Sequence, residues 1–431
     1  MEVLVVGSGG RETALGEQLQ RSRQVTKLYF MPGNAGTSAF GENVAINPLD
    51  LTAAVEFITD RGIQLVVIGP EAPLVAGLSD AVRGAGVTVF GPSQKAAGLE
   101  GSKAFASAFM QRHSIPQPKS QLVHNIEEAL AAIKDKPASS YVLKADGLAG
   151  GKGVILPESA AEAEAALNML FAGGFDGAGK QGVVIQERLH GPEVSAFAIS
   201  DGTNFVVLPN AQDHKRLQDH DQGPNTGGVG AYAPVPESIV SPAQNEKIRA
   251  IIKTTIDGMR AEGTPYEGTL YVGLMLAEER GGDPVVIEYN CRFGDPEAEV
   301  QFTALSASGC QTGDLLIEAA KGNLTAVALP EIKYTVLSVC LSAAGYPEQP
   351  RKGDAISGLD KMYDNVVVHQ AATVKDAGGL KTSGGRVLYV TATGATPDEA
   401  AARAYAAIGP NAIHFDGMQY RTDIGWQARA K

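Results

Sequence analysis

Cysteine is scarce in this 431-residue chain: Cys291, Cys310 and Cys340 are the only three. They are too few and too scattered for a disulfide framework or a zinc site, which predicts a reducing, intracellular compartment. Long apolar runs are missing as well, since none approaches the ~20 residues that span a bilayer. Glu2 leads straight into the apolar Val3 to Val6, with no basic leader or cleavage site ahead of it. The expectation is a soluble, cytoplasmic protein. Positive charge is also short, with 36 Lys and Arg against 48 Asp and Glu for a net charge of −12. That excludes a generally basic nucleic-acid or membrane-surface binder but leaves room for a local cationic pocket. Neither an internal repeat nor a low-complexity linker breaks the chain.

Glycine, by contrast, is abundant: 51 of 431 residues, roughly 12% against an average near 7%. The glycines cluster without a period, which excludes collagen and points to backbone-lined ligand loops. In the first hundred residues, continuous apolar strands (Val3–Gly7, Lys27–Phe30, Gln64–Ile68, Val87–Phe90) alternate with helices at Arg11–Arg21 and 51–61. This pattern predicts a parallel sheet covered on both faces, with ligands beyond the carboxyl ends of its strands. Helices at 103–113 and 126–133 then surround strands at 141–144 and 183–187, and the Ala/Glu-rich run 159–170 reads as a covering helix. A third section after Pro330 has strands at 335–341 and 386–391 and a helix near 397–408.

Four loops carry the chemistry. The first, GSGGRETA from Gly7, fails the dinucleotide fingerprint because Glu12 stands where the last glycine belongs, and no acid ends the second strand. This weighs against a nicotinamide-dependent oxidoreductase, although free amides at the Arg11 helix would suit a phosphate or carboxylate. The second, KADGLAGGKGV from Lys144, is not a Walker A loop: Asp146 and Gly153 break it. It instead places a lysine on a buried strand, where an ammonium needs an anionic partner, before a glycine-rich segment able to close over phosphates. In the third, VVIEYNCRFGDPE from Val285, period two puts Glu288, Asn290 and Arg292 on one face. An acid and an amide oxygen two residues apart suit Mg²⁺, and Arg292 suits a phosphate or carboxylate. The fourth combines QDHKR (212–216) with the polar, glycine-rich 221–232, a substrate loop in which His214 is read as a structural hydrogen-bonder. Two phosphate-seeking lysines on separate elements and a downstream acid/amide pair point to ATP bound without a P-loop, the layout of ATP-grasp enzymes.

Ten segments occur in order: GSGGRETA, PGNAGT, GPEAPLV, EGSKAF, KADGLAGGKGV, QDHKR, GPNTGGVGAY, YNCRFGDPE, TSGGRVL and DIGW. Together they resemble the glycinamide ribonucleotide synthetase family, the phosphoribosylamine–glycine ligases, over Gly7 to Trp426. The resemblance implies an α/β and α+β multidomain fold: an N-terminal Rossmann-like parallel sheet (1–102), an ATP-grasp domain (103–329) with a lid at about 122–191, and a small C-terminal α+β domain (330–431). It implies a monofunctional, monomeric enzyme that joins glycine to 5-phosphoribosylamine with ATP and Mg²⁺ or Mn²⁺, with no nucleic-acid or membrane partner. Carried onto matching positions, Lys103 and Lys144 hold ATP phosphates under a lid of Gly150, Gly151, Lys152 and Gly153. Glu187 and Leu189 meet the adenine edge, Glu193 the ribose, and Glu288 and Asn290 the metal. Arg292, Asp213 and Lys215 face glycine and the amine, with Arg292, Lys144 and Lys215 catalytic. Gly9, Gly10, Asn34, Gly36, Thr37 and Glu71 close the ribose-phosphate side, and Asp295 also belongs to the substrate site. The sequence departs from the family pattern at Thr13, where histidine is usual, and at Gly150, Gln186 and Val229.

Overall fold

The computed structural model describes residues 1–150, 152–175, 177–324 and 328–429. Its first sheet has five parallel strands with Glu2–Gly7 at the centre, flanked by Lys27–Pro32 and Leu65–Ile68, and with Glu42–Asn43 and Thr88–Phe90 at the edges. Val3, Leu4, Val5 and Val6 are each 0% exposed, so the central strand is apolar throughout because both its faces are covered. Glycine-rich turns leave its carboxyl edge, and helix Gly10–Arg21 starts there.

Two antiparallel sheets follow. One contains Ser120–Val123, Val183–Glu187, Tyr141–Ala145 and Val154–Ile155. Helices Ile126–Ile133 and Ala160–Phe171 cover it through Ala129, Ala163, Leu167 and Leu170. The other contains Phe205–Val207, Glu193–Asp201, Glu267–Ala277 and Asp283–Asn290. The sequence reading passed over Glu193–Asp201 and Glu267–Ala277. Both are buried along almost their whole length, so they lack the alternation that marks a half-exposed strand. Helix Pro242–Ala261, opened by a Ser241–Gln244 capping box, was passed over too.

The last sheet orders Gln212–Asp213, Gly230–Ala233, Thr335–Ser342, Arg386–Gly394 and Val366–Gln370. It therefore joins the QDHKR segment to strands that lie beyond residue 330. The loop carrying Asp213 and Lys215 is built onto the same sheet as the chain's last hundred residues.

Candidate active site

Lys144 lies on strand Tyr141–Ala145, is buried, and donates from Nζ to the Ile287 carbonyl at 2.8 Å. It thus bridges the two antiparallel sheets. Its direct partner is a backbone dipole and not the expected anion, although Glu288 lies within Coulombic reach. Burial lowers its pKa to about 8 against the opposing pull of Glu288. Lys103 opens helix Lys103–Arg112 and donates to the Gly147 carbonyl at 2.9 Å. Asp146 accepts from the Ala104 amide and the Ser102 hydroxyl, each at 3.2 Å. The KADG turn is thereby tied to a helix N-terminus, an electropositive end, and both lysines stand at one place. Gly150 sits at φ +55°, a left-handed conformation that suits glycine. Lys152 is exposed and Gly153 buried; Gly151 lies outside the described residues.

Across from these lysines, Glu288 and Asn290 occupy alternate positions of strand Asp283–Asn290. Gly273 pairs with Glu288, and a Cβ there would approach the Glu288 side chain to 2.8 Å, so glycine leaves the carboxylate its room. Burial would raise the Glu288 pKa, but Lys215, Lys144, Lys103 and Arg292 together hold it down at about 2. Lys215 lies 3.1 Å from Glu193 and 3.6 Å from Glu288. Asp213, on the same side, is pushed up to about 7 by burial, with Lys215 opposing and Glu297, Glu193 and Glu288 reinforcing the rise. Glu187 accepts from the Lys119 amide and from Arg280, while Leu189 packs on Ala277 and Val285.

The Asp213 shift carries a sign that can be checked. A carboxyl titrating at about 7 in the fold, against its ordinary 3.8, makes the native state bind the extra proton between those limits, so it subtracts stability as pH rises through them. Asp213→Asn removes that loss. Relative to wild type, the variant is expected to gain more than about 1 kcal/mol between pH 4 and 7. Urea midpoints at both pH values measure it; an unchanged difference would place the titration elsewhere.

Arg292 lies past the end of the strand, so the period-two face extends only to Asn290. Its guanidinium meets Glu71 at 3.1 Å, Glu100 at 3.0 Å and the Asn290 amide oxygen at 3.3 Å. Glu100 opens the EGSKAF segment, but sequence reasoning gives it no role, because nothing local shows which charge it meets. Its second oxygen accepts from the Cys291 amide at 2.7 Å, and Cys291 is buried as packing. Burial would raise Glu71, but Arg292 and Arg11 hold it down at about 2, whereas burial raises Glu100 despite Arg292.

The first loop corrects one expectation. The amides expected to be free at the Arg11 helix face the protein's own carboxylates: Gly9 donates to Glu12 at 2.5 Å, and the Arg11 amide lies 3.5 Å from Asp295. Glu12 is wedged so closely that a Cβ on Gly69 would fall 1.9 Å from it, so position 69 has room only for glycine. Arg11 binds Glu12 at 2.6 Å and the Phe293 carbonyl at 3.0 Å. A Cβ on Gly10 would enter the Tyr389 ring at 2.3 Å. In the second loop, Asn34 donates toward the Ser8, Gly9 and Gln370 carbonyls and accepts from the Gly36 and Thr37 amides. Thr37 is 0% exposed and bonded to Asn34 and Asn43. Thr13 donates to the Gln370 carbonyl at 2.6 Å. Asn34 and Thr37 therefore shape the loop from within, and its Asn34, Gly36 and Thr37 amides are taken up by its own side chains.

Asp295 is held by Tyr389 and by Arg386 at 3.1 Å. Arg386 and Arg11 bring its pKa down despite burial. Arg386 also donates to the Gly227 carbonyl at 2.7 Å, fastening the GPNTGG loop. Beneath it Glu299 is fully buried, with neither oxygen hydrogen-bonded among the described residues, and burial drives its pKa upward. Sequence reasoning had Arg386 inside TSGGRVL but gave it no role, and it missed Tyr389 and Glu299.

Sequence models of phosphoribosylglycinamide synthetase match the chain in three parts: the N domain over residues 1–100, the ATP-grasp (A) domain over 101–298 and the C domain over 336–427. The chain is 45% identical to a phosphoribosylamine–glycine ligase of Ralstonia nicotianae, covering 99% of both. The crystal structure of the Thermotoga maritima phosphoribosylamine–glycine ligase superimposes with a TM-score of 0.85 at 36% identity, over 99% of this chain and 100% of that one. A biotin carboxylase domain from Hydrogenobacter thermophilus, solved with MgADP, ADP and bicarbonate, shares the fold at a TM-score of 0.73 and 16% identity, over 97% and 91% of the two chains.

Proposed function

Because the chain belongs to the phosphoribosylglycinamide synthetase family, we propose that it joins glycine to 5-phosphoribosylamine with ATP, giving glycinamide ribonucleotide, ADP and phosphate in purine synthesis. The observation that carries the reading is the convergence of Lys103, Lys144 and Lys215 on Glu288, beside the Arg292–Glu71–Glu100 cluster. It is an enzyme of small molecules, acting in this reading as a monomer in the cytoplasm; among the described residues no helix is long and apolar enough to cross a membrane.

A carboxylate is a poor electrophile, so the γ-phosphoryl group is first transferred to glycine, giving glycyl phosphate. That step needs in-line positioning and charge neutralisation more than covalent help. Lys103 and Lys144 hold the phosphates, and residues 150–153 close over them to keep water off the acyl phosphate. Glu187, Leu189 and Glu193 face adenine and ribose. Asp213, Lys215 and Arg292 orient glycine and the amine, while Glu71, Asp295 and the loops carrying Gly9, Gly10, Asn34, Gly36 and Thr37 border the ribose-phosphate end.

Glu288 and Asn290 fit a Mg²⁺ or Mn²⁺ ion. They offer one carboxylate and one amide oxygen, and among the described residues no cluster of three acid, histidine or cysteine ligands exists, a donor set suited to a hard cation that also keeps phosphate and water ligands. When bound, such an ion neutralises developing phosphate charge.

ADP release measured with ATP, Mg²⁺ and glycine, with and without phosphoribosylamine formed in place from ribose 5-phosphate and ammonia, tests the reading. ADP formation is expected to require both glycine and the amine. Release with neither, or only with another carboxylate or amine, would retain the ATP site and overturn the substrate assignment.

A further inference from the structure

Asp213 and Lys215 point toward Glu193 and Glu288, whereas His214 between them points the opposite way, into residues 419–428. Its Nε2 lies 3.2 Å from the Gly425 amide and 3.1 Å from the Gln427 side chain. The hairpin that continues from Lys215 is gripped by the same segment. Arg421, 0% exposed, binds Asp423 through two nitrogens, Asp221 at 2.6 Å and the Arg216 carbonyl at 3.2 Å. The Thr422 amide donates to Asp219, and the His220 amide to Asp423, each at 2.8 Å. His220 and Asp221 sit at φ +57° and +54°, left-handed positions that are uncommon outside glycine and that surrounding contacts help to hold. Here the surroundings are Asp423 and Arg421. The return strand closes the arrangement, as Thr226 donates to the Lys215 carbonyl from both its amide and its hydroxyl at 2.8 Å.

We propose that residues 419–428 form a clamp that sets the register of the Lys215 hairpin, and that Arg421 is a positioning residue for the substrate end of the site although it touches no reacting group. This rests on the ligase reading above. The chain's last segment thereby fixes the ammonium of Lys215 against Glu193 and Glu288.

The test uses the full chain with Asp219→Ala/Asp221→Ala, which cuts the clamp at its outer side. Asp221 is exposed, and buried Arg421 keeps both its bonds to Asp423 in this variant, so the melting temperature is expected within about 3 °C of wild type. The kcat/KM for glycine is expected to fall about 10- to 100-fold, with the KM for ATP moving less than about threefold. Amide exchange over residues 215–225, measured without substrates, is expected to rise. Asp219→Asn/Asp221→Asn keeps acceptor oxygens and should restore most of the glycine kcat/KM. Trp426, the only tryptophan of the chain, lies in the clamp, and its fluorescence should shift in the alanine variant. Wild-type exchange and kinetics in that variant would overturn the clamp, as would losses that track melting temperature and affect ATP equally. An inactive wild type would instead overturn the ligase reading, and the exchange data would still decide the clamp.

Discussion

Glu288→Gln is expected to lower turnover by at least about 10²–10³-fold with the fold intact, the scale on which lost preorganised charge contacts are felt. The substitution keeps shape and one acceptor but removes the anion on which Lys215, Lys144, Lys103 and Arg292 converge. Two consequences follow. The proposed metal loses its only carboxylate, and Lys144, already at about 8 through burial, loses the charge that opposes that burial. Lys144 should then titrate lower still, so the residual activity should improve as pH is lowered below 8. Lys144→Met removes the bridge to the Ile287 carbonyl and is expected to be comparably inactive at every pH. Single-turnover ADP formation and circular dichroism on both variants decide the matter; wild-type turnover in either would remove these residues from the site.

Arg292→Met should be the most destabilising change in the site, by about 3–5 kcal/mol, because breaking a buried pair leaves its partners uncompensated. Glu71 and Glu100 contact this guanidinium from different elements, and the arginine side chain is only 18% exposed. The pH dependence has a definite sign. The folded pKa of Glu71, about 2, lies below the ordinary 4.5 of a glutamate, so its stabilisation is present above that ordinary value and is lost as pH falls toward 2. In the variant both carboxyls protonate more readily. The stability gap to wild type should be widest near neutrality and narrow below about pH 4.5. Urea titrations at pH 7 and 4 measure this, and a gap that stays constant would mean Arg292 acts only by packing. Activity should be lost as well, because Arg292 also holds Asn290 beside Glu288. Arg292→Lys supplies a point charge where a planar fork binds two carboxylates and should recover only part of either property.

Much of the fold was legible because its signals are local. The apolar Val3 to Val6 predicts a strand buried on both faces, and strand Glu2–Gly7 lies at the centre of the parallel sheet. Helices Leu51–Arg61 and Ile126–Ile133 and strand Val183–Glu187 begin and end where read. The passed-over strands Glu193–Asp201 and Glu267–Ala277 are the converse case, since burial on both sides erases the periodicity that would reveal them.

Within the site, residue type and spacing named Lys144, Glu288, Asn290 and Arg292, because unusual polar groups on apolar strands are visible without any tertiary knowledge. What each one faces was not visible. Lys144 meets a carbonyl 143 positions away, Arg292 meets Glu100 192 positions away, and Arg386 reaches Gly227 across 159. The sequence by itself determined the family, the parallel N-terminal sheet and the chemistry-bearing residue types, since these depend on local pattern and composition. Only the tertiary structure decided the partners: that Glu12 and Asp295 face the first helix's amides, that Asn34 and Thr37 are bound within their own loop, and that the chain's end grips the Lys215 hairpin. Charge pairing and hydrogen bonding act over a few ångströms regardless of chain separation, so they are settled where the elements meet.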